Sequence, residues 1–226
     1  MAGAAQQPLP IVVLISGHGS NLEAIIEANR RSELPVDIRA VICNRPDAGG
    51  IEISRQAGIE TRIIDHTRYA DRAGFDAALQ TAIDAYNPGL VVLAGFMRIL
   101  TPGFVDHYRG RLINIHPSLL PEFPGLNTHQ RALDAGRQVA GATVHFVTAE
   151  TDGGPAFLQV QVAVQENDTA ETLAERVLQH EHRLYPEAIR RVAEGRIALD
   201  EKDRVLCDGI PLETACLLEP DVASGT

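Results

Sequence analysis

Five apolar residues in a row, IVVLI at 11–15, run straight into Ser16-Gly17, and four of the five are β-branched. A run this short, apolar at every position, suits a strand covered on both faces, the situation inside a parallel sheet. The chain must therefore supply packed layers on both sides of it. Further strands are predicted at 38–42, 61–64, 90–94 and 111–115, with helices at 51–57 and 73–86; Asn87-Pro88 stops the second helix. Another helix is predicted directly after the first strand. There Ser20 and Glu23 have the spacing of a capping box, and Leu22, Ile25 and Ile26 recur on one face.

Strands alternating with helices imply right-handed crossovers, and ligands collect at the carboxyl ends of such strands. From 139 the texture changes. β-prone runs at 142–148 and 157–164 precede a helix opened by Thr169 and carrying Leu173, Val177 and Leu184. The expected fold class is α/β: a single-domain, mainly parallel twisted sheet with helices on both faces, Rossmann-like, with an antiparallel extension in the C-terminal half. Its first strand should be central. The expected boundaries are an N-terminal extension at 1–10, the main domain at 11–196, and a C-terminal hairpin and tail at 197–226. The hairpin should turn at 200–203, and the last dozen residues should be mobile.

Composition narrows the function. With 226 residues, 45% of them hydrophobic, one domain buries a core without disulfides or metal. Cys43, Cys207 and Cys216 are scattered, with no CxxC pair, and His129, His145, His180 and His182 show no metal-ligand spacing, so no metal is expected. Twenty basic against 30 acidic residues give a formal charge of −10, with no basic run to neutralise a string of phosphates. Nucleic acid is excluded as a partner on this reading, and the absence of an apolar run of about 18 residues excludes a membrane span. A reducing cytoplasm is the expected location.

Three segments carry polar groups where a ligand crevice should be. SGHGSN (16–21) joins the first strand to its helix, where free N–H groups favour an anion, or where the glycines merely make a tight turn. The third glycine of a dinucleotide fingerprint is missing, and the second strand ends in Cys43-Asn44 rather than an acid, which disfavours NAD. NIHPSLLPEFPG (114–125) follows a buried strand. Asn114 and His116, two residues apart in extended chain, lie on one side and could stabilise a developing alkoxide, or His116 could be structural and the prolines a stiffened connection. In TDGGP (151–155), Asp152 is either an acid held near His116 or part of an ordinary Asp-Gly turn. GFMRIL (95–100) follows the strand at 90–94 and could enclose a flat aromatic ligand, or could be ordinary core at the start of a helix.

IVVLISGHGSN, VVLAGFMRIL, NIHPSLLP, VHFVT with TDGGP, and EHRLYP occur in the order and at the spacings of the phosphoribosylglycinamide formyltransferases, of the folate formyltransferase family, which this chain resembles from about Ile11 to Arg196. The resemblance implies formyl transfer from 10-formyltetrahydrofolate, as co-substrate, to the amine of 5-phosphoribosylglycinamide, without metal or ATP. It implies a catalytic trio of Asn114, His116 and Asp152. It also implies a ribonucleotide site at Gly19, Ser20, Asn21 and Glu181. Folate contacts would come from Arg72, Met97, Arg98, Ile99, Leu100, Asn114, Thr148, Ala149, Glu150, Thr151 and Asp152, and the Leu120-Pro121 bond would be cis. Small molecules are then the partners, and the protein a monomer or weak homodimer. Asn127 and Ala156-Phe157 depart from the family pattern. The alternatives are a formyltetrahydrofolate deformylase or a methionyl-tRNA formyltransferase, each expected to need a further domain, and a non-catalytic nucleotide-binding module.

Overall fold

The structure, a computed structural model, describes residues 7–219. The chain begins with β1 (Leu9–Ile15), α1 (Ser20–Arg30), β2 (Val36–Cys43), α2 (Gly50–Gln56) and β3 (Thr61–Ile63). It continues through α3 (Arg72–Asp84), β4 (Leu90–Leu93), α4 (Pro102–His107), β5 (Leu112–His116) and α5 (Thr128–Asp134). A hairpin of β6 (Val139–Phe146) and β7 (Ala156–Ala163) leads to the long α6 (Ala170–Ala193). Short strands close the chain: β8 (Ile197–Leu199), β9 (Val205–Cys207), β10 (Ile210–Pro211) and β11 (Cys216–Leu217).

Eight strands form one sheet in the order β11-β7-β6-β5-β4-β1-β2-β3, and β8, β9 and β10 form a small antiparallel sheet. Strands β1 to β5 are mutually parallel, whereas β6 runs antiparallel to β5 and β7 antiparallel to β6. β1 sits between β2 and β4, the central position expected of IVVLI. Its side chains alternate between two cores. Ile11, Val13 and Ile15 pack with α1 and α6, whereas Val12 and Leu14 pack with α3 and α4, and all five are fully buried. Burial of such a side chain is worth about 1.5–3 kcal/mol, so two-sided burial makes β1 the keel of the domain.

Several boundaries differ from the sequence expectations. β1 starts at Leu9, so two residues assigned to the extension belong to the sheet, and residues 1–6 lie outside the described residues. At the other end, Cys216 and Leu217 pair with Leu158 and Gln159 of β7, an ordered edge where mobility was expected; residues 220–226 lie outside the described residues. The turn at 200–203 does join β8 to β9, with Asp200 accepting the backbone N–H groups of Lys202 and Arg204. α4 and α5 span six and seven residues, too few to show a helical period in sequence. Leu120-Pro121 is cis.

The capping box expected at Ser20 is absent. Gly19 is the N-cap, at φ 86°, and no side chain caps the helix. This backbone conformation lets α1 meet α2 very closely: a Cβ on Gly19 would lie 2.6 Å from Gly50 Cα. Gly19→Ala therefore combines a left-handed φ with a backbone collision. It is expected to destabilise the fold by about 2 kcal/mol or more, a fall in Tm of roughly 4–8 °C for a chain of this size. Calorimetry against Ser20→Ala, expected within about 1 kcal/mol of wild type, checks this.

Candidate active site

The carboxyl ends of β4 and β5 and the loop after β6 open into a cleft of about 640 Å³. Its walls come from three segments already singled out: Gly95 to Leu100, Asn114 to Pro117, and Thr148 to Asp152; Gly125 to His129 add a fourth. Leu93, Val105 and Val147 are also among its apolar lining residues, while Met97, Ile99 and Leu126 are 70%, 58% and 76% exposed. Exposed apolar side chains gathered around a cleft are a binding surface rather than a core.

At one end of this cleft Asn114, His116 and Asp152 converge, although 36 residues separate the last two. Asp152 Oδ2 lies 3.3 Å from His116 Nδ1 and accepts the Gly125 N–H at 2.8 Å. His116 Nε2 faces the Phe123 carbonyl at 3.0 Å. Both ring nitrogens thus face oxygen atoms, the Asp152 carboxylate on one side and the Phe123 carbonyl on the other. The loop that delivers Asp152 is fixed by its sequence. Asp152 adopts φ 52°, which Asp tolerates better than most residues, and a Cβ on Gly154 would fall 1.8 Å from the Phe146 carbonyl oxygen. Gly154 is therefore required for close packing, and not only for a turn.

Asn114 has a partner that no sequence expectation named. Its Nδ2 lies 3.2 Å from His145 Nε2, and His145 Nδ1 faces the Phe146 carbonyl at 2.9 Å. His145 was considered in sequence only as a metal ligand. Among the described residues no group of three His, Cys, Asp or Glu is arranged to hold a metal ion. Two other groups escaped the motif reading. The Phe123 carbonyl depends on a left-handed backbone at φ 54°, and Thr143 donates to the Ser118 carbonyl and accepts from the Leu120 N–H. The alternation of Thr143 and His145 with apolar residues in VAGATVHF was the signal that could have found both side chains.

The remaining predicted residues lie at a second locus. Gly19, Ser20 and Asn21 start α1, where Glu23 N–H closes the first helical bond on the Gly19 carbonyl and leaves the N–H groups of Ser20, Asn21 and Leu22 without helical partners. These are anion donors by geometry. Asn21 Nδ2 donates to Glu181 Oε2 at 2.7 Å, joining α1 to α6. The two loci are tied together. Met97 N–H donates to Ser16 Oγ at 2.8 Å, and the Ser16 hydroxyl donates to Asn44 Oδ1 at 2.6 Å. Arg72 is exposed at the start of α3 and is not among the residues lining the cleft.

Burial pushes the Glu181 carboxyl up to about 7, against the opposing hydrogen bond from Asn21. A raised folded-state value means stability fully present below the unfolded value of 4.5 and lost as pH climbs from there through 7. Glu181→Gln, which keeps the Asn21 contact but cannot ionise, should therefore gain on wild type as pH rises from 5 to 8. The gain should reach at most about 3 kcal/mol. Parallel pH-dependent denaturation curves for the two proteins would show that Glu181 does not titrate in this range.

The family model described as "Formyl transferase" matches residues 9–189. Phosphoribosylglycinamide formyltransferase of Escherichia coli (strain K12) is 51% identical over 191 residues, 84% of this chain and 90% of that protein. The trifunctional purine biosynthetic protein adenosine-3 of Bos taurus is 46% identical over 195 residues, 86% of this chain but 19% of that longer protein. The solved phosphoribosylglycinamide formyltransferase of Coxiella burnetii superposes with a TM-score of 0.90 at 50% identity, covering 94% of this chain and all of that one. With the match running through every strand from β1 to β7 and through most of α6, the chain belongs to the formyl transferase family, among its phosphoribosylglycinamide formyltransferases.

Proposed function

We propose that this protein transfers the formyl group of 10-formyltetrahydrofolate to the amino group of 5-phosphoribosylglycinamide. The products are formylglycinamide ribonucleotide and tetrahydrofolate, in de novo purine biosynthesis. The observation that carries the proposal is the meeting of Asn114, His116 and Asp152 at an apolar cleft in a chain of this family. The apolar walls at Met97, Ile99 and Leu100, with Arg98 and the segment Thr148, Ala149, Glu150 and Thr151, suit the flat pterin and benzoyl rings of a folate. Arg72 is assigned to the folate's anionic tail on family resemblance alone. Gly19, Ser20 and Asn21 suit the ribonucleotide phosphate, and Glu181 the glycinamide end.

In the proposed step the glycinamide nitrogen attacks the formyl carbon, and the formyl oxygen takes up negative charge. Asn114 N–H and the His116 imidazolium are the donors for that oxygen. The Phe123 carbonyl accepts from His116 Nε2, so the formyl oxygen must share or displace it. Asp152 pairs with the protonated ring and orients it through Nδ1. When the carbon–nitrogen bond to the folate breaks, the nitrogen of tetrahydrofolate gains one proton and the former amine loses one, through water. The step uses no metal and no ATP. The proposal places the enzyme in the cytoplasm, as a monomer or weak homodimer acting on small molecules.

The direct test is the absorbance change on transfer from 10-formyl-5,8-dideazafolate, with and without glycinamide ribonucleotide. Deformylation that needs no acceptor would replace the proposal with a hydrolase. Asp152→Asn should lower kcat by on the order of a hundredfold or more and change KM far less, because the lost interaction strengthens in the transition state. Tm should stay within a few degrees of wild type. A variant with near wild-type kcat from pH 6 to 9 would remove Asp152 from the mechanism.

A further inference from the structure

His145 is 2% exposed and stands between two of the proposed catalytic groups, with Nε2 at 3.2 Å from Asn114 Nδ2 and 3.8 Å from Asp152 Oδ1. Its protonation follows from its partners. Nδ1 lies 2.9 Å from the Phe146 carbonyl oxygen, which only accepts, so Nδ1 carries a proton. Burial holds the ring below the ordinary histidine range, His116 adds to this, and Asp152 opposes both. The ring is therefore neutral, and Nε2 presents a lone pair. At 3.8 Å, that lone pair and the Asp152 carboxylate are neighbours without a shared proton. Among the described residues, the donor hydrogen-bonded to Nε2 is the Asn114 amide nitrogen.

We infer that His145 is a positioning residue for formyl transfer: its Nε2 holds the Asn114 amide with the nitrogen toward His145, leaving the second N–H for the formyl oxygen. A side-chain amide is nearly symmetric in shape, and packing alone selects its orientation weakly. Flipped, Asn114 would set Oδ1 against the Nε2 lone pair and take its donors away from the side of the cleft where His116 and Asp152 meet. A carbonyl oxygen would then sit where negative charge develops. The inference rests on the function proposed above, and it adds a residue that touches no reacting atom.

The first measurement does not depend on activity. A long-range proton–nitrogen spectrum of the folded protein at neutral pH should show His145 Nδ1 protonated and Nε2 bare; a proton on Nε2 would overturn the inference. The second is kinetic. His145→Leu removes the acceptor and should lower kcat by on the order of a hundredfold, with KM for both substrates changed only a few-fold. His145→Gln, whose side-chain oxygen can accept from Asn114, should recover at least tenfold of that loss. In an Asn114→Ala background His145→Leu should cost less than about threefold more, because the group it orients is gone. Equal losses in both backgrounds, or equal defects in the Leu and Gln variants, would mean that His145 merely fills the core. If His145→Leu fails to fold, the spectrum and the Gln variant decide. Absence of transfer by the wild-type protein would instead reject the proposed function and leave the spectrum to judge the orientation of Asn114.

Discussion

In the antiparallel ladder between β5 and β6, Asn114 lies opposite His145 and His116 lies opposite Thr143. Directly opposed residues bring their Cβ atoms within about 4.5–5.5 Å of each other, and residues two apart on one strand share a face. This register assembles the polar side of the cleft. It pairs one candidate donor with His145, and the other with the hydroxyl that holds the Ser118–Leu120 loop. A slip of one residue would present Val144 in place of His145 or Thr143 and turn both polar side chains to the opposite face. The ladder between β6 and β7 shifts register beside His145, passing from the Val144–Leu158 pair to the His145–Ala156 pair. Phe157 is the extra residue there. It is fully buried, with its ring 5.2 Å from that of Phe146, so the departure Ala156-Phe157 sits in the bulge beside the site.

The parallel half of the sheet contributes alignment rather than acid–base groups. Ser16, Asn44 and Met97 leave the carboxyl ends of β1, β2 and β4, and two hydrogen bonds join them. Ser16 and Asn44 are both buried, so each bond satisfies a group that would otherwise be stranded away from water. The anion turn and the apolar wall of the cleft are thereby built on one rigid corner. Glu181 and Asn21 tie the same corner to α6. Substrates bound at the two loci would be held at a fixed separation, which is what attack by one on the other requires.

The sheet was legible because IVVLI and its successors are apolar without alternation, a pattern that only two-sided burial explains. The trio was legible in part. Asn114 and His116 stand two apart on a strand, but nothing in residue types brings Asp152 to them; that step came from resemblance. What stayed hidden was what depends on backbone rather than side chain. The N-cap at Gly19 is set by packing on Gly50 so close that a Cβ on Gly19 would lie 2.6 Å from Gly50 Cα, so Ser20 and Glu23 had the right spacing for a capping box that the packing does not use. The Phe123 carbonyl is an acceptor that any residue could supply. His145 looked like one of several unpaired histidines because its partners are the carbonyl of the next residue, Phe146, and the amide of Asn114, 31 residues earlier in the chain.

The chain carries a formal charge of −10, yet the proposed substrates are anions. Distant carboxylates matter little to them, because charges beyond about 8 Å are screened at physiological ionic strength. The local balance is different from the total. At the start of α1 the donors are backbone N–H groups, whose partial positive charge cannot be titrated away and is reinforced by the helix dipole. Glu181, the buried acid that accepts from Asn21 in that turn, is raised by burial to about 7, so near neutral pH it carries well under a full negative charge. Asp152, the acid that faces His116 in the cleft, brings no net charge with it when the ring is protonated. Anion binding thus depends on where the few interior charges are neutralised, and the acidic exterior leaves it intact.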